Sequence, residues 1–176
     1  DAMNGLGIGS TDEMTVPTLE ALDACLASSY ADRLRLWVAP ALYRKLDKPR
    51  RERVMGVKLY LDGAIGARSA AIAGPWIGAG EAMFTYRDGE LTAMLEEIAS
   101  YGAGVAMHAI GELAIAQAIS ALERLGERAM PIVRLEHVQF IDEALAGRAK
   151  RLGAILSMQP NFTSDSRDYT DRLTEP

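Results

Sequence analysis

Apolar and polar positions follow two different periods along the chain, and their alternation predicts an α/β fold. Apolar residues recur at helical spacing in several segments, for example at Leu91, Met94, Leu95 and Ile98. Between these segments lie short runs that are apolar throughout or that alternate with polar residues, as strands do. The predicted strands are 33–39, 54–61, 104–109, 132–140 and 154–158. Residues 1–16 are rich in Gly, Ser, Thr and Asp and predict a loop.

The order and spacing of these elements favour part of a (β/α)8 barrel, because strands that alternate with helices form parallel sheets. Equivalent ends of two successive strands, His108 and His137, are 29 residues apart, which is enough for one β/α unit. Five such units in 176 residues match the density of a barrel that needs about 250 residues for eight. The alternative is an open doubly wound sheet, but Gly-Ala-Ile-Gly follows Asp62 instead of its G-x-G-x-x-G fingerprint. The predicted fold class is therefore α/β, a partial TIM (β/α)8 barrel with roughly strands 3 to 7 and their intervening helices.

Three polar side chains lie on predicted strands whose other residues are mostly apolar. Lys58 lies in Val-Lys-Leu-Tyr-Leu, His108 ends the run Val-Ala-Met-His, and His137 lies in Leu-Glu-His-Val. Barrel enzymes place their chemistry at the carboxyl ends of the strands, so these three are candidate site residues. A structural role is the alternative for each of them. Lys58 could form a buried ion pair with Glu136 or Asp62, and each histidine could be a hydrogen-bonded core residue.

A lysine and two histidines on successive strands have a chemical logic as a metal site. Burial lowers the pKa of a lysine amine, and the neutral amine can add carbon dioxide to give a carbamate, which is an anionic oxygen ligand. Imidazole nitrogens suit zinc and similar divalent ions. Ions held in this way lower the pKa of a bound water and polarise a carbonyl group. The set therefore predicts hydrolysis by a metal-activated hydroxide, with one or two divalent ions.

Four segments of the chain, taken in order, match the pattern of one known family. They are Val-Lys-Leu-Tyr-Leu-Asp-Gly-Ala-Ile-Gly-Ala-Arg-Ser-Ala-Ala (57–71), Met-His-Ala-Ile-Gly-Glu (107–112), Arg-Leu-Glu-His-Val-Gln (134–139) and Ser-Met-Gln-Pro (157–160). The segments resemble the amidohydrolase superfamily. More narrowly, they are similar to its YtcJ-like branch of metal-dependent hydrolases, amidohydrolase family 3, which includes N-substituted formamide deformylase.

The resemblance implies roles for five residues. In that family the lysine is typically carboxylated and two histidines bind metal, which gives these roles to Lys58, His108 and His137. Arg68 and Gln159 match motifs that line the family's pocket, so they are candidates for substrate contact. The implied activity is hydrolysis of an amide-type C–N bond in a small-molecule substrate, with zinc as the expected metal.

Two departures from the family pattern limit what this segment is expected to do alone. Glu112 stands where the family usually has Asp, although both acids suit the start of a helix. The family's first-strand His-x-His pair, its eighth-strand aspartate and its flanking β-sandwich have no match in the chain. Residues 1–176 are therefore expected to be the central portion of a hydrolase barrel, without strands 1, 2 and 8, and to be inactive in isolation. Strand edges near Leu36 and Leu156 are expected to be exposed and to favour homo-oligomers.

Composition limits the partners and the compartment of the protein. The formal net charge of −5 and the lack of a basic stripe argue against nucleic acid and anionic membranes as partners. No apolar run reaches the length of a membrane span, and Cys25 alone permits no internal disulfide, so a cytoplasmic location is expected. Two other function classes stay open. One is a Schiff-base lyase or aldolase barrel that uses Lys58, and the other is a non-catalytic binding or regulatory fragment.

Overall fold

The structure of the protein is a computed structural model that describes residues 5–126 and 130–165. The chain forms two compact units, Asp1–Leu59 and Tyr60–Pro176, and strands alternate with helices in both. The strands are β1 (Thr11–Val16), β2 (Leu34–Val38), β3 (Gly56–Tyr60), β4 (Gly104–Ala109), β5 (Val133–His137) and β6 (Ile155–Ser157). The helices are α1 (Leu19–Ala27), α2 (Pro40–Tyr43), α3 (Lys48–Arg51), α4 (Asp88–Ser100), α5 (Glu112–Leu125), α6 (Glu143–Arg151) and α7 (Phe162–Asp165), and a short 3-10 helix spans Ala31–Arg33.

In the first unit, three strands pair in parallel in the order β1, β2, β3. The core of this unit includes Leu36, Trp37 and Val38 of β2, each at most 1% exposed, and Leu22 of α1. The hydroxyl oxygen of Thr18 accepts a backbone hydrogen bond from the first turn of α1 and so caps that helix. The unit therefore contains the two strands predicted for it, 33–39 and 54–61, and one additional strand.

The additional strand is β1. The polar composition of residues 1–16 predicts a loop, and for Thr11–Val16 this prediction is wrong. The Asp12 carboxylate of β1 accepts two hydrogen bonds from the Arg35 guanidinium, at 2.7 and 3.1 Å. It also accepts one from the indole N–H of Trp37, at 3.0 Å. Cross-strand pairs of this kind stabilise a strand whose own sequence is polar. A hydropathy pattern does not show such pairs, because the partners lie on another strand.

The expectation of an exposed strand edge near Leu36 is also wrong. Leu36 pairs with Glu13 in the parallel ladder between β1 and β2, and it is 1% exposed. With β1 included, the described part of the chain has six strands, one more than the five predicted ones. Self-association through a strand edge near Leu156 stays a prediction.

In the second unit, β4, β5 and β6 pair in parallel, and α4 and α5 pack against β4 and against each other. The helical spacing seen in the sequence marks the buried faces of these helices. On α4, Leu91, Leu95 and Ile98 are at most 2% exposed. The corresponding buried residues of α5 are Ala114, Ile115, Ala118, Ile119, Ala121, Leu122 and Leu125. The second unit thus repeats the construction of the first, and together these parallel strands and helices confirm the predicted fold class, part of a (β/α)8 barrel.

The long segment between β3 and α4 has a small apolar core of its own. This core combines residues of the segment with one residue that follows β4, and Phe140 packs against it from outside. Its members are Ile65, Ala70, Ile72, Trp76 and Ile110. The segment is therefore held by packing, although it contains no helix or extended strand before α4. Within the described residues, no helix is long and apolar enough to cross a membrane.

Helix α6 begins after Asp142, whose carboxylate accepts a hydrogen bond from the backbone N–H of Leu145 at 2.7 Å. This bond satisfies one of the donors that the first turn of a helix leaves unpaired. We expect Asp142→Ala to lower the free energy of unfolding by about 1 kcal/mol in urea denaturation. Asp142→Asn is the matched control, since asparagine also caps helices. An equal loss in both variants would show that the cap is not the cause.

Candidate functional site

Two imidazole rings meet at the carboxyl ends of β4 and β5. His108 is the last residue but one of β4, and His137 is the last residue of β5. Their ring centroids are 4.6 Å apart and their planes are inclined by 69°, so the edge of one ring faces the other. The structure therefore brings together the two histidines predicted from the sequence, at the end of the strands where barrels place their chemistry.

The backbone at His137 is unusual. His108 pairs with Glu136 in the parallel ladder, so strict alternation would place the next side chain, that of His137, on the opposite face. Instead β5 ends at His137, where φ is 75°, and Val138 follows with φ of 49°. Residues other than glycine take this left-handed conformation at a cost of about 1–3 kcal/mol, and they cluster at functional sites. The departure from strand geometry allows the two rings to meet.

Each imidazole has one ring nitrogen bound to a hydrogen-bond acceptor. His108 Nε2 lies 2.9 Å from the carbonyl oxygen of Gly63, and His137 Nδ1 lies 2.8 Å from Oε1 of Gln159. The Gln159 amide is oriented in turn, because its Nε2 donates to the carbonyl oxygen of Ser157 at 3.3 Å. A neutral imidazole donates from one nitrogen only, so these contacts favour a lone pair on His108 Nδ1 and one on His137 Nε2. Histidines that bind metals are commonly oriented by such bonds.

Asp62 is a buried carboxylate at this site, which the sequence analysis named only as a possible ion-pair partner of Lys58. Its side chain is 0% exposed, and Oδ1 lies 3.4 Å from Nε2 of His108. The carboxylate accepts hydrogen bonds from the backbone N–H groups of Ala71 (3.0 Å), Ile110 (3.0 Å) and Gly111 (2.8 Å). The only signal for this role in the sequence is an acidic residue directly after a buried strand.

The start of α5 holds the irregular segment in place. The Leu113 N–H donates to the Ala71 carbonyl at 3.0 Å, and the Glu112 carboxylate accepts from the Ala73 N–H at 2.6 Å. Gly111 packs so closely on Ala71 that a Cβ at Gly111 would overlap the backbone of Ala71. Glu112 departs from the family pattern, yet its side chain bonds the segment that follows β3. The local geometry at the start of α5 is therefore helical, as expected.

The other predicted site residues, Lys58, Arg68 and Gln159, belong to three different segments of the chain. Lys58 lies in β3 and is 4% exposed, so its side chain is buried, and its carboxylation and metal binding stay predictions. Gln159 contacts His137 directly. Arg68 lies in the irregular segment with φ of 52°, a left-handed conformation. Substrate contact by Arg68 and Gln159 stays a prediction.

Asp62 and Glu136 are the alternative, structural partners proposed for Lys58 in the sequence analysis. Glu136 is 5% exposed and accepts hydrogen bonds from the Arg134 guanidinium at 2.8 and 3.3 Å. The same guanidinium donates to the Ser157 hydroxyl at 3.1 Å. Asp62 accepts the backbone hydrogen bonds described above. Both carboxylates therefore have hydrogen-bond partners within the second unit.

Two aromatic rings flank the imidazole pair. The centroid of Tyr60 lies 5.5 Å from that of His108, and Phe162 stacks on His137 at 6.0 Å with an interplanar angle of 16°. Across residues 5–126 and 130–165, no group of three or more His, Cys, Asp and Glu side chains could hold a metal ion. Two imidazoles need further donors to complete the usual four-coordinate shell of zinc. A carbamate on a lysine side chain would supply an oxygen donor, and lysine is not one of those four residue types.

Parallel strands joined by helices define part of an α/β barrel, and the two imidazoles at the strand ends are a candidate metal centre. The family model described as "Amidohydrolase family" matches residues 1–176, and the chain belongs to this family. This confirms the resemblance drawn from the four sequence segments. The chain is also 32% identical, over 120 residues or 66% of its length, to "Putative amidohydrolase YtcJ" of Bacillus subtilis (strain 168).

Two solved structures share the fold over nearly the whole chain. Both are described as uncharacterized metal-dependent hydrolases, one from Pyrococcus furiosus and the other from Pyrococcus horikoshii OT3. Each is 28% identical to this chain with a TM-score of 0.81, and they cover 99% and 98% of it. The chain spans 39% and 37% of those two proteins and 23% of the Bacillus relative.

Proposed function

We propose that the protein is a metal-dependent hydrolase that cleaves amide-type C–N bonds in small molecules. The imidazole pair carries this proposal, because His108 and His137 meet edge to face and each has one nitrogen held by an acceptor. Membership of the amidohydrolase family and similarity to two metal-dependent hydrolases support the same class. A Schiff-base lyase built on Lys58 has no such support, since the family match and the two similar structures are those of hydrolases.

The chemistry of the donors fits a divalent ion such as zinc, with one or two ions bound. Neutral imidazole nitrogens and anionic oxygens are common ligands of zinc. We assign His108 Nδ1 and His137 Nε2 as donor atoms and a carbamate on Lys58 as the oxygen ligand. When bound, such an ion lowers the pKa of a water molecule and polarises a carbonyl group.

The residues around the imidazoles would orient the reacting groups. The Gly63 carbonyl holds the His108 ring at Nε2, and the Gln159 side chain holds the His137 ring at Nδ1. Gln159 carries a second N–H on its amide nitrogen, and Arg68 has several guanidinium donors, so both suit the carbonyl oxygen of an amide substrate. Tyr60 and Phe162 lie beside the two rings.

The test is the metal content and turnover of the full-length protein. We expect elemental analysis to find a divalent metal, and we expect hydrolysis of a small-molecule amide to stop with a chelator and to return with added zinc. A protein that hydrolyses the amide at the same rate without metal would contradict the proposal. Trapping of a carbonyl substrate on Lys58 by borohydride would favour the lyase instead.

A further inference from the structure

We propose that Asp62 is a positioning residue that holds the His108 imidazole in the tautomer protonated at Nε2. A carboxylate with no exposed surface is costly to bury unless its oxygens are satisfied by donors. Three backbone N–H groups satisfy this one, from Ala71, Ile110 and Gly111. Ala71 and Gly111 bond Oδ2 and Ile110 bonds Oδ1, so the carboxylate is held at both oxygens, with Oδ1 3.4 Å from His108 Nε2. The carboxylate is therefore a preorganised acceptor beside His108 and not only a turn residue.

The surroundings of His108 Nε2 contain two acceptors. The Gly63 carbonyl oxygen lies at 2.9 Å and Asp62 Oδ1 at 3.4 Å, and Asp62 is the residue directly before Gly63. Neither a carbonyl nor an ionised carboxylate can donate, so both favour a proton on Nε2. The negative charge of Asp62 adds an electrostatic preference that the carbonyl alone does not supply. The lone pair is then on Nδ1, the nitrogen assigned above to the metal.

Replacing Asp62 by asparagine tests this role, because it changes one oxygen into an NH2 group. Oδ2 accepts from the Ala71 and Gly111 N–H groups, so the amide oxygen is expected to take that position. The NH2 group then takes the position of Oδ1 and presents a donor to His108 Nε2, while the Ile110 N–H, which lies 3.0 Å from Oδ1 and 3.3 Å from Oδ2, keeps the amide oxygen as its acceptor. Two donors that face each other are unfavourable, so the variant favours the tautomer with a lone pair on Nε2. The Gly63 carbonyl still favours the native tautomer, and a mixture results.

The experiment is a nitrogen-15 spectrum of the metal-free full-length protein labelled at histidine, with the His108 signals assigned by their loss in His108→Gln. We expect a single tautomer protonated at Nε2 in the native protein and a mixture of both tautomers in Asp62→Asn. Asp142→Asn is the matched control, because it also converts a backbone-bonded carboxylate into an amide. It should keep the native His108 signals. A folded Asp62→Asn protein with the native tautomer alone would overturn the proposal and leave Asp62 a structural role.

If Asp62→Asn does not fold, the native protein still provides a test. Its His108 must then be protonated at Nε2, and the Nε2 proton must exchange slowly with water because it lies against the Gly63 carbonyl and the buried carboxylate. A native protein with His108 protonated at Nδ1 would overturn the proposal.

A second measurement concerns zinc affinity and rests on the proposed function. Loss of a group that orients a metal-binding histidine lowers metal affinity about 10- to 100-fold, and we expect a loss of this size in Asp62→Asn but not in Asp142→Asn. An unchanged affinity in a folded Asp62→Asn protein would count against the positioning role. If the native protein binds no zinc, the proposed function fails, and the tautomer measurement still decides the role of Asp62.

Discussion

Zinc binding by the full-length protein should fall more than about 100-fold in His108→Asn and in His137→Asn. Loss of a group that only orients a ligand already costs about 10- to 100-fold, and these variants remove the ligand itself. Asparagine is a suitable replacement at His137, where φ is 75°, because it tolerates the left-handed conformation better than most residues. The variant therefore tests the imidazole without adding backbone strain. The measurement is competition with a chelator of known affinity.

The comparison needs a variant that alters the same unit without removing a donor, and Asp142→Asn serves this purpose. Its zinc affinity should equal that of the native protein. Native zinc affinity in either histidine variant would contradict the assignment of that residue as a ligand. Loss of zinc binding together with loss of the folded state would not count as support, so circular dichroism accompanies each titration.

Gly111→Ala should lower the free energy of unfolding by about 3 kcal/mol, the upper end of the usual cost of overpacking. The backbone at Gly111 has φ of −75°, which alanine adopts without strain, so the cost is one of space alone. A Cβ there would overlap the carbonyl carbon and oxygen of Ala71. Those are backbone atoms that cannot rotate away, and the Ala71 N–H and carbonyl are both hydrogen-bonded, to Asp62 and Leu113. Urea denaturation measures the loss.

Gly147→Ala is the matched control for this prediction. Gly147 lies within α6, and a Cβ there would meet only the end of the Arg151 side chain, at 3.7 Å. Because alanine favours the helix interior, this variant should be more stable than the native protein, by up to about 1 kcal/mol. A Gly111→Ala protein as stable as Gly147→Ala would show that the close packing on Ala71 is not required.

The parts of the fold that sequence predicts well are those in which one segment's own pattern decides its structure. The apolar run 104–109 is a strand with the predicted bounds, because its residues are buried on both faces. The periodic faces of α4 and α5 are equally clear, since helices of this kind pack one stripe against the sheet. β1 was missed for the opposite reason. Its residues are polar, and its stability depends on partners in β2 that lie more than 20 residues away.

At the site, sequence reasoning found the histidines but not the geometry that joins them. His137 was predicted inside a strand that continues to residue 140, whereas its left-handed backbone ends the strand there. A local pattern does not predict such a conformation, because the surrounding structure imposes it. Asp62 was missed for a similar reason. Its partners Ile110 and Gly111 are 48 and 49 residues away, and an Asp-Gly pair is also the usual signature of a simple turn.

The central claim is that His108, His137 and a carboxylated Lys58 hold one metal centre. A crystal structure of the zinc-loaded full-length protein, with anomalous diffraction at the zinc edge, tests it most directly. The expected result is an anomalous peak about 2.0–2.1 Å from His108 Nδ1 and from His137 Nε2, with density for a carbamate beyond the Lys58 amine. A zinc peak remote from both imidazoles, or a bare Lys58 amine beside a filled site, would contradict the claim.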